Sequence, residues 1–134
     1  MRQISLKGRA YPSDLNHSGT VFGGWIMSKM DKAASIAVED IVDSGAVTVS
    51  VSDLNFLKPI RNGDIVTIYT DIKKIGNSSI AICVDVTVRC KQSHQDYDVT
   101  KAVFTFVTVD EDGEKVAVRD VIRADIDEDV KGLL

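Results

Sequence analysis

The stretch Asn16-His17-Ser18-Gly19-Thr20-Val21-Phe22-Gly23-Gly24-Trp25-Ile26-Met27-Ser28-Lys29-Met30-Asp31 reads as a loop that turns through a Gly-Gly step into an amphipathic helix carrying a carboxylate one to two turns in. From about residue 24 to residue 42 the apolar residues Ile26, Met30, Ala33, Ala34, Ala37 and Ile41 recur at spacings of three and four. That is the signature of a helix with one buried stripe. Ser28, Lys32, Ser35 and Glu39 take the opposite face. At about 100° per residue, Asp31 falls with Met27, Ala34 and Val38 on the shoulder where the apolar stripe meets the polar face.

Two glycines ahead of a helix have a physical use. Without Cβ atoms, Gly23 and Gly24 let another group approach the backbone closely, and the first N–H groups of a helix have no partner inside it. Such a terminus can accept a carbonyl oxygen and stabilise negative charge developing on it. The competing reading is that the pair only lets the helix pack against a sheet, with Asp31 an ordinary surface carboxylate. His17, beside Asn16, is a further proton carrier in reach of the stretch, although a loop histidine more often packs or hydrogen-bonds than catalyses.

Downstream, Asp43-Ser44-Gly45 provides a stop for the helix. Val47, Val49 and Val51 then alternate with Thr48, Ser50 and Ser52 as a half-buried strand. The apolar phase slips to even numbers at Leu54 and Phe56, and a one-residue slip inverts the faces, which predicts a bulge or bend near Ser52-Asp53. Lys58-Pro59-Ile60-Arg61-Asn62-Gly63-Asp64 is turn chemistry. Residues 65–75 form a strand with Val66, Ile68 and Ile72 on one face, and Gly76-Asn77 makes a tight hairpin connection. In the next strand Ile80, Ile82, Val84, Val86, Val88 and Cys90 face in, while Asp85, Thr87, Arg89 and Lys91 face out. Residues 100–109 are apolar on both faces, as in the middle of a sheet or at an interface.

Upstream, a short strand spans about residues 4–11, and Pro12-Ser13-Asp14 turns it into the loop. At the other end, Val116-Ala117-Val118 is expected to return as a short strand. The segment from Arg119, with Asp120, Asp125, Asp127, Glu128 and Asp129, is expected to be frayed or loosely helical. One helix inserted early and followed by long antiparallel strands gives an α+β domain in which a curved sheet wraps a central helix. The expected division is a single domain over residues 1–122 and an acidic C-terminal tail over residues 123–134. A single helix covers one face of such a sheet, so the two-sided apolar strands imply that another copy completes the structure.

A chain of 134 residues is the size of one domain. Its 16 basic and 20 acidic residues give a formal charge of −4, so there is no global attraction for nucleic acid or acidic membranes. An anionic ligand must be held by local groups. The first residues, Met1-Arg2-Gln3-Ile4-Ser5-Leu6-Lys7, contain no apolar run of signal-peptide length, and the expected location is cytoplasmic, with no membrane insertion. Cys83 and Cys90 lie at opposite parity in one expected strand, too far apart to bridge. Neither makes a metal-ligand spacing with His17 or His94, so no metal is expected.

These residues resemble a known family. The run Pro12-Ser13-Asp14-Leu15-Asn16, the Gly19-x-x-Phe22-Gly23-Gly24-Trp25-Ile26-Met27-Ser28-x-Met30-Asp31 segment, Asn55-Phe56-Leu57-Lys58-Pro59-Ile60-x-x-Gly63-Asp64, the Gly76-x-Ser78-Ser79 turn and Ala102-Val103-Phe104-Thr105-Phe106-Val107-x-Val109-Asp110 look like the hotdog-fold acyl-CoA thioesterases, nearest to the YciA and brain acyl-CoA hydrolase branch. The resemblance covers roughly residues 4–118. It implies a hotdog fold, assembled as a dimer of hotdogs or as a larger homo-oligomer such as a trimer of dimers. It also implies a hydrolase that splits acyl-CoA into a free acid and CoA with no cofactor beyond the substrate itself. By the same resemblance Asp31 acts as general base or nucleophile, Asn16 acts with it across the subunit interface, and the Gly23 and Gly24 N–H groups hold the thioester oxygen. The turn containing Lys73, Lys74, Gly76, Asn77, Ser78 and Ser79 would lie against the nucleotide end of CoA, with His17, Phe56 and Lys58 as further substrate-binding candidates.

The chemistry is consistent with these residues. A thioester carbonyl is already electrophilic and its thiolate is a good leaving group, so a water positioned by Asp31 and an oxyanion site can suffice. No Gly-x-Ser-x-Gly elbow is present. Two alternatives stay open: an enoyl-thioester hydratase on the same fold, kept alive by Asn16-His17, and a non-catalytic acyl-CoA-binding module.

Overall fold

Ile80, Ile82, Val84, Val86 and Val88 are all buried, as strict alternation predicts for a strand with one face on a core. They lie on one of five strands of a single antiparallel sheet: β1 (Gln3–Arg9), β2 (Gly45–Phe56), β3 (Ile65–Ile75), β4 (Ser79–Arg89) and β5 (Asp96–Val109), in the spatial order β1-β3-β4-β5-β2. The computed structural model describes residues 2–134, so Met1, the first residue of the expected domain, lies outside the described residues. Helix α1 (Gly23–Glu39) buries Ile26, Met30, Ala33, Ala34, Ala37 and Val38 against the sheet. The run of alanines lets it lie close, and it touches every strand, which a flat sheet would not permit. This is the hotdog arrangement of a long helix wrapped by a curved sheet.

The helix stops at Glu39, short of residue 42, because the chain turns off to meet the C-terminal segment. The Asp43 amide donates to Val121 O at 2.9 Å and the Arg123 amide to Ile41 O at 2.8 Å, which buries Ile41 and Val42 outside the helix. The segment from Arg119, expected from its charge to be frayed or loosely helical, is helical only in short turns and is packed rather than frayed. Ile126 and Val130 are buried, Arg123 pairs with Asp43 and Asp125, and a short turn of helix forms over Glu128–Lys131. The expected return strand at 116–118 is also corrected. After one bridge between Val109 and Lys115 the chain enters a short helix, Val118–Val121.

Strand β2 departs from its reading in an informative way. Thr48 lies opposite the buried Phe106, so the even-numbered residue shares the core side, while Val47 and Val49 are 50% and 55% exposed. A register shift between Thr48 and Ser50 then brings Val51 opposite Phe104. The bulge expected near Ser52-Asp53 is present as a second shift between Ser52 and Asn55, with Asp53 at φ 59°. Cys90 falls just beyond β4, and both thiols are free. Among the described residues, no helix is long and apolar enough to cross a membrane, and no group of three or more His, Cys, Asp or Glu side chains could hold a metal ion.

Candidate active site

The shoulder position of Asp31 places it at the seam between helix and sheet, where it is half-buried. There Thr48 Oγ1 donates to Asp31 Oδ1 at 2.6 Å. A hydroxyl bound to one carboxylate oxygen fixes the side chain and leaves the other oxygen for a second partner. Sequence reasoning missed Thr48. The valines around it dominate the pattern, and its side follows from the pairing with Phe106.

The helix begins without a side-chain cap. Phe22 occupies the capping position, its carbonyl accepts from the Trp25 and Ile26 amides at 3.1 and 3.3 Å, and the first turn contains no acidic residue. The positive end of the helix is therefore not neutralised by its own sequence. A Cβ on Gly23 would sit 3.3 Å from Cε2 and Cζ of the Phe56 ring, so Phe56 occupies the space that the missing side chain leaves. Gly23, Phe56, Leu57, Lys58 and Pro59 line a cleft of about 330 Å³ at this terminus. The structure thus joins Gly23, Phe56 and Lys58, which the sequence had singled out separately. Gly24 follows on the helix with open space around its Cα.

Asn16 is committed to its own loop. Its Oδ1 accepts from the Ser18 and Thr20 amides at 2.9 and 3.2 Å, and its Nδ2 donates to Thr20 Oγ1 at 3.3 Å. Gly19, at φ 84°, supplies the left-handed residue that the loop needs. Within the described protomer no hydrogen bond joins Asn16 to Asp31. His17 is exposed beside it.

The β3–β4 connection holds Gly76, Asn77 and Ser78, with Lys74 near the end of β3 and Ser79 opening β4. Its carbonyls are largely taken: Asn77 O accepts from the Val118 amide at 2.8 Å, Ser78 O from the Thr108 amide at 3.0 Å, and Ser79 O from the Gly76 amide at 2.8 Å. Docking the turn on the C-terminal segment leaves a cleft of about 610 Å³, lined by Ile75, Gly76, Asn77, Val118, Arg119 and Ile122 among others. Arg119 was read only as the start of the tail. It reaches this cleft because the expected strand is a turn of helix.

A family model described as Thioesterase superfamily matches residues 18–95, which include the helix, Thr48 and the 56–59 wall. An uncharacterized acyl-CoA thioester hydrolase of Haemophilus influenzae is 48% identical over 113 residues, covering 82% of this chain and 73% of that protein. Among solved structures, the hexameric broad-specificity acyl-coenzyme A thioesterase HI0827, crystallised as a mutant enzyme, superposes with a TM-score of 0.86 at 38% identity, covering 98% of this chain and 94% of its own. A hexameric hotdog-fold thioesterase of Campylobacter jejuni gives a TM-score of 0.82 at 36% identity, covering 96% and 93%.

Proposed function

Because the chain belongs to the thioesterase superfamily, we propose that it is an acyl-CoA thioesterase, hydrolysing acyl-CoA to a carboxylic acid and CoA. The observation that carries the proposal is the Thr48–Asp31 contact, a fixed carboxylate on the same helix whose uncapped start opens into the Phe56–Pro59 cleft. Asp31 takes a proton from water as the water oxygen bonds to the thioester carbon, or its carboxylate attacks that carbon itself to give, once the thiolate has left, an acyl-aspartyl anhydride that water then splits into the free acid and the restored Asp31. The carbonyl oxygen becomes negative and accepts from the Gly23 and Gly24 amides. The C–S bond then breaks and the CoA thiolate leaves, to be protonated. The thioester is reactive enough that no cofactor is required. Asn16 is supplied to this site by the partner subunit, in a homo-oligomer arranged as a trimer of dimers, like the hexameric relatives, and working in the cytoplasm.

Thr48 supplies the first test. A hydrogen bond to a charged group contributes about 1.5–3 kcal/mol, and each 1.36 kcal/mol in the barrier is about a factor of ten in rate. Thr48→Val, which keeps the shape and removes the donor, should lower kcat roughly tenfold with KM for acyl-CoA changed less than about twofold. A kcat within about twofold of wild type would remove Asp31 orientation from the mechanism.

The nucleotide end of CoA is assigned to the cleft between the 76–79 turn and the C-terminal segment. Ile75 and Ile122 offer apolar surface to a base, and Arg119 offers a cation to phosphate. Because Arg119 is exposed, solvent reduces its contribution. Arg119→Ala should therefore raise KM for acyl-CoA by about threefold to tenfold without a change in kcat, and should leave an acyl-pantetheine thioester unaffected. Equal losses on both substrates would place the phosphates elsewhere.

A further inference from the structure

Asp64 is 0% exposed, yet its described hydrogen-bond partners are neutral donors. Its Oδ2 accepts from the Arg61 amide at 3.0 Å and from the Tyr97 hydroxyl at 3.2 Å, and its Oδ1 accepts from the Lys91 amide at 3.3 Å. A buried carboxylate is costly unless such donors satisfy it, so its presence at the foot of a turn calls for a reason. The Tyr97 O–H is also within 3.1 Å of Pro59 O, so one hydroxyl is shared between the carboxylate and the cleft-wall residue. Burial, followed by the charge of Asp64, pushes the Tyr97 hydroxyl up to about 12, which keeps it a donor at working pH.

The consequences reach both sides of the cleft. On one side, Lys58 Nζ stands 5.4 Å from the centroid of the Tyr97 ring, and Lys58 and Pro59 line the cleft. On the other, the clamped turn holds the loop that leads into α1: Thr20 bridges Arg61, and the Val21 amide donates to Ile60 O at 2.9 Å, two residues before Gly23. Asp64 O also accepts from the Ala10 amide at 3.0 Å, tying the clamp to the end of β1.

We propose that Asp64 and Tyr97 form a latch that positions the catalytic cleft, setting the Phe56–Pro59 wall directly and the Gly23-Gly24 helix start through the Ile60–Val21 hydrogen bond. They are positioning residues that touch no reacting atom. The latch rests on the thioesterase reading for its effect on rate. Its effect on the helix start is independent of that reading.

The test takes Tyr97→Phe, which deletes one hydroxyl and keeps the ring, and Asp64→Asn, which keeps the shape but presents N–H to donors. Tyr97→Phe should lower kcat about fivefold, with KM for acyl-CoA within about twofold, and should speed amide exchange at Val21 and Arg61 while the thermal midpoint moves little. Asp64→Asn should lower kcat further, and the double variant should fall no lower than Asp64→Asn, because the two residues act as one unit. Should Asp64→Asn fail to fold, Tyr97→Phe carries the test alone. A Tyr97→Phe enzyme with wild-type kcat and wild-type exchange at Val21 would overturn the latch. So would a lowered thermal midpoint accompanied by unchanged kcat. If the wild-type protein released no thiol at all, the thioesterase reading would fail, and exchange at Val21 and Arg61 would still decide whether the latch exists.

Discussion

Replacing Asp31 with asparagine should lower kcat by at least about a hundredfold, the lower end for loss of a general base. Asparagine keeps the Oδ1 that accepts from Thr48, so the helix–sheet seam can stay closed. What is lost is the ability to take a proton or to attack carbon. The proposed oxyanion site at Gly23-Gly24 and the cleft would remain, so residual activity should persist at a low level. The measurement is kcat of the purified, folded variant, with wild-type thermal stability as the control. Retention of more than about a tenth of wild-type turnover would exclude Asp31 as base and as nucleophile.

The second large effect lies between subunits. Asn16→Ala and Asp31→Ala chains should each be nearly inactive alone, and mixing them should restore activity. In a two-fold dimer each site would combine Asp31 of one chain with Asn16 of the other, so a mixed dimer contains one intact and one doubly defective site. Random exchange makes about half the dimers mixed, which gives roughly a quarter of wild-type activity. Because the Asn16 side chain also closes its own loop through the Ser18 and Thr20 amides, a loss in the single variant could be a loop effect. Recovery in the mixture separates the two causes. Verified subunit exchange with no recovery would place Asn16 and Asp31 in unrelated roles.

Much of the candidate site could be read from residue order because its parts are local. The Gly23-Gly24 step, the stripe from Ile26 to Ala37 and the shoulder position of Asp31 are all properties of one helix, and the helix forms as its periodicity dictates. The slip near Ser52-Asp53 was visible for the same reason, since a strand reports its own phase. What depends on pairing was not legible. Val47 and Val49 alternate correctly, but which side meets the core is set by Thr48 lying opposite Phe106, and an additional shift after Thr48 resets the phase. The charge of the last residues obscured Ile122, Ile126 and Val130, spaced by four, which contribute to the core in the folded chain. Asp64 and Tyr97 are 33 positions apart, so their contact leaves no trace in local pattern. The apolar side of β2 at Val47 and Val49 remains uncovered in the protomer, in line with the two-sided apolar strands from which a second copy is expected.

The most direct measurement is the stoichiometry of products when the purified protein is given acyl-CoA thioesters of graded chain length, together with an enoyl-CoA. Hydrolysis at the Asp31 site should release one free thiol and one carboxylic acid per substrate consumed, with the release abolished in Asp31→Asn. Tight binding without thiol release would make the chain a non-catalytic acyl-CoA-binding module. Hydration of the enoyl-CoA without thiol release would make it a hydratase, and either result would contradict thioester hydrolysis at Asp31.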